Sequence, residues 1–198
     1  MAPHGQNRPE EFPVAVIGAS TGGPPVVQDI LTRLPATTRA CVLVAQHMPG
    51  HFTQHMAERL AKLVSLPIHE ARDGEPLVSG TIIIAPGEHC AEIVRDRQGI
   101  PRFHLEAAPC KGETSPSIDL LMRSAAKILG RRVTGFLLTG MGRDGALGMQ
   151  FIHSLGHRTY VQDPPTCVVD SMVQHAIGCD AVHEVIKPER IPAIISHL

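Results

Sequence analysis

The sequence predicts a doubly wound α/β protein: a mostly parallel sheet with helices on both faces and an antiparallel hairpin insertion. Two observations carry this. Short apolar runs rich in Val and Ile alternate with amphipathic stretches, as when each parallel strand is followed by a crossover helix. The central section breaks that rhythm with short alternating runs divided by Gly87 and Gln98-Gly99, which read as a hairpin.

The clearest strands are Val14–Ala19, Cys41–Gln46 and Thr134–Thr139, with a fourth over Arg158–Gln162. Each is nearly continuous in apolar residues, so each is expected to be buried on two sides. Helices are expected over Pro25–Leu34, His51–Val64, Ser117–Leu129, Ala146–Leu155 and Pro188–Leu198. Within His51–Val64, Phe52, Met56, Leu60 and Leu63 share one stripe at helical spacing, and Glu58 and Lys62 stand at i,i+4 on another side. The insertion is assigned to TIIIAP (Thr81–Pro86), CAEIVRD (Cys90–Asp96) and PRFHLEA (Pro101–Ala107). Residues 1–13 are polar and proline-bearing and read as a loose leader or linker remnant; 14–198 read as one domain.

Composition excludes several function classes. A chain of 198 residues with 43% hydrophobic and 19% charged residues has enough apolar surface for a real core and is not a disordered or collagen-like chain. The formal charge of -1 carries no message, but one Tyr, no Trp and no dense basic run beyond Arg131-Arg132 argue against nucleic acid as a partner. No apolar run approaches the roughly 18 residues of a membrane span, so no membrane insertion is expected. The five cysteines are odd in number, widely spaced and without a C-x-x-C pair, which reads as a reducing, cytoplasmic compartment.

The segment VAVIGASTGGPP (Val14 to Pro25) ends an apolar run in a glycine-rich loop. A dinucleotide loop needs G-x-G-x-x-G, yet Ser20 stands at the second glycine, and the next strand ends in Gln46 and His47 with no acidic residue for a ribose. A P-loop has its lysine where this chain has Pro24. Gly18-Ala19-Ser20-Thr21-Gly22 does fit the G-x-S-x-G nucleophile elbow on a strand-to-helix turn, and the amides after Ser20, such as that of Gly22, are suited to an oxyanion. The alternative is that Ser20 or Thr21 merely caps the helix.

A serine needs a base. Among twelve histidines, His47 is distinguished by ending the second strand, just before a turn forced by Pro49-Gly50. Ser20 and His47 then fall at the carboxyl ends of neighbouring strands, where functional groups gather in open parallel sheets. A packed strand-end histidine is the competing reading. So is a metal site from His47, His51 and His55, although Pro49-Gly50 interrupts their spacing and no H-E-x-x-H carboxylate is present. A third strand ends in FLLTGMGRDGALG (Phe136 to Gly148), which places Asp144 in a loop suited to orienting His47; Asp163 is the rival orienter, and a turn or N-cap role is the plainer one. Ser20, His47 and Asp144 together favour serine acyl-transfer chemistry.

The motifs IGASTGGP, AQHMP, TIIIAPGEHC, SPSIDLLMRSAA, LLTGMGRDGALG and VQDPPTCVV, in this order and spacing, closely resemble the catalytic domain of the chemotaxis protein-glutamate methylesterases. The resemblance runs from about Val14 to near the C-terminus. It implies hydrolysis of glutamyl methyl esters on the cytoplasmic helices of methylated chemoreceptors, allows for deamidation of receptor glutamines, and implies no cofactor and no metal. By motif it places the nucleophile on Ser20, the base on His47 and the carboxylate on Asp144. It also puts Thr21 beside the nucleophile and Met141 in the rim, where a main-chain amide helps to hold the oxyanion. Two segments depart from the usual pattern, CKGETSPSID (Cys110–Asp119) and DSMV (Asp170–Val173), and both bear on receptor docking. An N-terminal receiver domain is usual in the family; here either the sequence is part of a longer chain or a separate receiver or response-regulator protein controls it. A non-catalytic module that binds receptor or response regulator is the alternative function, and a small-molecule esterase a weaker one.

Overall fold

A computed structural model describes residues 12–107 and 115–198. All of the expected leader except Phe12 and Pro13, and the Cys110 end of the divergent CKGETSPSID segment, lie outside the described residues.

A seven-stranded sheet forms the centre, in the order β3-β4-β2-β1-β7-β8-β9. Its strands are β1 (Val14–Ala19), β2 (Cys41–Gln46), β3 (Ile68–Glu70), β4 (Ile82–Ile84), β7 (Val133–Leu137), β8 (Thr159–Gln162) and β9 (Glu184–Ile186). Every pairing in it is parallel. A separate two-stranded antiparallel sheet holds β5 (His89–Arg95) and β6 (Pro101–Ala107). The helices are α1 (Gly23–Thr32), α2 (Phe52–Leu60), α3 (Ile118–Leu129), α4 (Ala146–Ser154), α5 (Ser171–Gly178) and α6 (Ile191–Ser196).

Strand pleating divides the core in two. Val14, Val16, Cys41 and Leu43 face a cluster supplied by Leu121, Met122, Met149, Ile152 and Met172 of α3, α4 and α5. Ala15, Ile17, Val42 and Val44 face the opposite cluster, with Val27, Ile30, Leu60 and Ile195 of α1, α2 and α6. Continuous apolar strands are therefore required, because each residue, whichever way it points, meets a helix layer. From β1 the chain moves outward to β2 and the edge strand β3, turns back to β4 between them, then returns to the other side of β1 as β7 and continues to β9. The carboxyl ends of β1, β2 and β7 thus converge where the winding reverses.

The sequence reading needs correction in several places. Ile82–Ile84 is not part of the hairpin; it lies in the main sheet between β2 and β3, with Val42 opposite Ile82 and Ile68 opposite Ile82 on the other side. Three successive buried isoleucines require cover on both faces, which a hairpin on the periphery does not give. The hairpin is β5–β6 alone, packed on α3 through buried Ile93 and Phe103, with Ile93 N–H donating to Ser124 Oγ at 2.9 Å. In α2, Met56 and Leu60 are buried, but Phe52 and Leu63 are exposed, since Phe52 opens the helix and Leu63 lies beyond its end. Glu58 Oε1 accepts a hydrogen bond from Gln54 Nε2 at 3.0 Å, with no Glu58–Lys62 ion pair among the described residues. The last expected helix is a short 3-10 turn, Pro188–Arg190, followed by α6. Cysteine chemistry also differs: Cys41, Cys167 and Cys179 are free thiols, whereas Cys90 is disulfide-bonded, contrary to a fully reduced set. Among the described residues no helix is long and apolar enough to cross a membrane.

Candidate active site

The glycine loop after β1 is held by main-chain bonds at both ends. Ser20 N–H donates to Thr139 O at 3.0 Å, and Ser20 O accepts from Gly23 N–H at 2.8 Å. Gly22 is in the left-handed region at φ +79°, and a Cβ there would lie 2.5 Å from Val168 Cβ. Glycine alone makes that reversal without strain. Pro24 and Pro25 then occupy the first turn of α1, where their missing N–H groups have no intrahelical partner to lose.

His47 is positioned by an extra rung of sheet. Its N–H donates to Ala19 O at 2.9 Å, which carries the β1–β2 pairing one residue past β2 and sets the ring beside Ser20. Gln46, buried at the end of β2, donates from Nε2 to Ser20 O at 2.9 Å and to His47 O at 3.1 Å, tying the two loops together. His47 Nδ1 stands 3.1 Å from Ser20 Oγ and His47 Nε2 stands 2.7 Å from Asp144 Oδ2. The His47 and Asp144 side chains are only 10% and 12% exposed. A carboxylate accepts only, so Nε2 carries the proton toward Asp144, and in the neutral ring Nδ1 presents its lone pair to the Ser20 hydroxyl. The imidazole edges are reversed relative to the chymotrypsin arrangement, in which Nε2 faces the serine.

Asp144 is itself fixed by the start of α3. Its Oδ2 accepts from Ile118 N–H at 2.8 Å and its Oδ1 from Asp119 N–H at 2.9 Å, so the positive end of the helix faces the carboxylate. Asp163, the rival, sits in the turn after β8, with its N–H on Ile186 O and its carbonyl accepting from Thr166 N–H, and makes no bond to His47. His51 immediately precedes α2 and His55 lies within it; no group of three or more His, Cys, Asp or Glu among the described residues is arranged to hold a metal.

Thr21, next to the serine, is exposed, and Met141 is 71% exposed. Two residues escaped the sequence reading, Gln46 and Thr139. The Thr139 hydroxyl accepts from Val168 N–H and Val169 N–H, each at 3.1 Å, and reaches Thr21 O at 3.0 Å, joining the Ser20 turn to the segment after β8. The available signal was a polar residue closing an otherwise apolar strand, VLVAQ and FLLT. A buried polar group must find a partner, and at a strand end the partners are loop main chains.

A doubly wound α/β sheet with serine, histidine and aspartate hydrogen-bonded in series at its carboxyl edge is the class that fold and site together define. The CheB methylesterase family model matches residues 15–195, and the chain belongs to that family. It is 42% identical over 182 residues to a protein-glutamate methylesterase/protein-glutamine glutaminase of Chromohalobacter salexigens, covering 92% of this chain and 51% of that one. A similarly named protein of Anaeromyxobacter dehalogenans is 43% identical over 183 residues, with 91% and 52% covered. The chain thus spans about half the length of these relatives. The crystal structure of the Thermotoga maritima CheB methylesterase catalytic domain superposes with a TM-score of 0.88 at 32% identity, covering 94% of this chain and 98% of that one.

Proposed function

We propose that this chain is a methylesterase catalytic domain that hydrolyses glutamyl methyl esters on the cytoplasmic helices of chemoreceptors, with Ser20, His47 and Asp144 as its triad. The observation that carries the proposal is the continuous series Ser20 Oγ, His47 Nδ1 at 3.1 Å, and His47 Nε2 to Asp144 Oδ2 at 2.7 Å. Ser20 Oγ attacks the ester carbonyl while His47 Nδ1 takes its proton, and Asp144 stabilises the resulting imidazolium. His47 returns the proton to departing methanol. It then activates a water that releases the free glutamate and restores Ser20.

The Ser20 amide is already committed to Thr139 O, so the oxyanion falls to the next amides, those of Thr21 and Gly22 ahead of α1, joined by the Met141 main chain. With ammonia in place of methanol the same steps deamidate a glutamine, as the names of the relatives include. The partner is a methylated receptor domain in the cytoplasm, and control falls to a receiver or response-regulator domain, attached or separate. The test is methanol release from methylated receptor by wild type and by Ser20→Ala. Release by wild type alone supports the reading. Equal release by both removes the triad, and release by neither favours a non-catalytic binding module.

A further inference from the structure

Asp144 and Asp119 exchange helix caps. The Asp144 carboxylate accepts from the first two amides of α3, Ile118 and Asp119. In return, Asp119 Oδ1 accepts from Gly145 N–H at 2.9 Å and Gly148 N–H at 2.5 Å, the amides that open α4. Gly145 is the residue next to Asp144 and adopts φ +96°, so the bond from Asp119 clamps the backbone that carries the orienting carboxylate. The glycines make the exchange possible: a Cβ on Gly148 would lie 2.7 Å from Met122 Cβ and 3.2 Å from Asp119 Cα. Orphan amides at both helix starts are thereby satisfied, and each carboxylate faces the positive end of the other's helix.

We infer that Asp119 is a positioning residue for the ester hydrolysis: it sets the height and rotation of the Asp144 loop, and through it the His47 ring. The inference rests on the triad reading given above. Among the described residues Asp119 makes no hydrogen bond to Ser20; its Oδ1 holds Gly145 and Gly148. Its effect runs through Asp144, whose bond to His47 at 2.7 Å leaves little tolerance for displacement.

The test uses the whole chain and a methyl-esterified receptor domain, with kcat and KM measured across pH for wild type and three variants. Asp119→Ala removes the acceptor. It is expected to lower kcat on the order of tenfold or more with KM little changed, and to move the acid limb of kcat/KM to lower pH, because the imidazolium loses a well-placed carboxylate. Asp119→Asn keeps an acceptor oxygen at the same reach and recovers most of that loss. Asp119→Glu keeps the charge but moves the oxygens outward by one methylene, and behaves like Asp119→Ala.

If Asp119→Ala does not fold, the contrast between Asn and Glu decides alone. A loss confined to KM, an acid limb that stays in place in Asp119→Ala or Asp119→Glu, or the reverse order of Asn and Glu would overturn the inference while leaving the triad intact. Wild type inactive on the ester, or as active as Ser20→Ala, would overturn both.

Discussion

Gly140 lies so close to Ser20 that a Cβ on it would fall 2.7 Å from Ser20 Cβ, with Met172 Sδ closing the space on its other side. The loop after β7 therefore acts as a template for the proposed nucleophile as well as the carrier of Asp144. Gly140→Ala is expected to push Ser20 out of line with His47 and lower kcat by about 10 to 100-fold, with a smaller change in KM. Overpacking costs about 1–3 kcal/mol, so the thermal midpoint falls by several degrees as well. Steady-state kinetics beside a melting curve check both; wild-type kcat in a folded Gly140→Ala protein would refute the template role.

Asp144→Asn separates geometry from charge. The amide is nearly isosteric, but its NH2 group must face either His47 or an N–H of α3, all of which are donors. By analogy with serine proteases, kcat falls about 10³ to 10⁴-fold. The unsatisfied cap costs about 1–3 kcal/mol, read from urea denaturation. Retention of a tenth or more of wild-type kcat would point to another orienter.

Stability should fall on the acid side through His157. It is buried, its Nδ1 has no partner among the described residues, and burial, reinforced by the nearby Arg131 charge, holds it below the ordinary value of 6.5. For a histidine lowered in the folded state, the unfolded chain binds the proton more readily. The contribution is complete above about pH 6.5 and is lost as pH drops from there toward the folded-state value. Urea midpoints measured between neutral and mildly acid pH should decline less steeply for His157→Gln. A parallel decline in both proteins would remove His157 as the source.

The free thiols should differ sharply in reactivity. Burial pushes the Cys41 thiol up to about 12 and the Cys167 thiol up to about 11, whereas Cys179 is exposed at the end of α5. A thiol-specific alkylating agent at mildly alkaline pH should modify Cys179 and spare Cys41 until the protein unfolds, because the thiolate is the reactive form. Peptide mapping after brief treatment checks this, and rapid native-state modification of Cys41 would contradict it.

Much of the architecture was legible because of where the residues are buried. Val14–Ala19 and Cys41–Gln46 stand in the structure with the bounds their apolar runs suggested, since strands covered on both faces admit little else. Edge strands carry no such mark: β3 reads Ile-His-Glu and is only half-buried, and β9 reads Glu-Val-Ile with two exposed residues, so both passed unnoticed. Helix α5 starts in DSMV (Asp170–Val173), read only as a divergent motif, and runs on to Gly178 through residues given no helical reading. That Ser20, His47 and Asp144 come together could be read because each ends or follows a strand at the edge where the winding reverses. Asp119 could not. It lies at a helix start remote in sequence from all three, and it holds Gly145 and Gly148 through their backbone amides, which leave no side-chain signature.

The central claim is that Ser20 Oγ, activated by His47, is the nucleophile. The most direct measurement is reaction with a fluorophosphonate, mapping of the modified residue by tandem mass spectrometry, and parallel assay of methanol release from methylated receptor. A single label on Ser20, loss of activity in proportion to labelling, and no label in Ser20→Ala or His47→Ala are expected. Labelling at another residue, or full methanol release from protein whose Ser20 is completely modified, would contradict it.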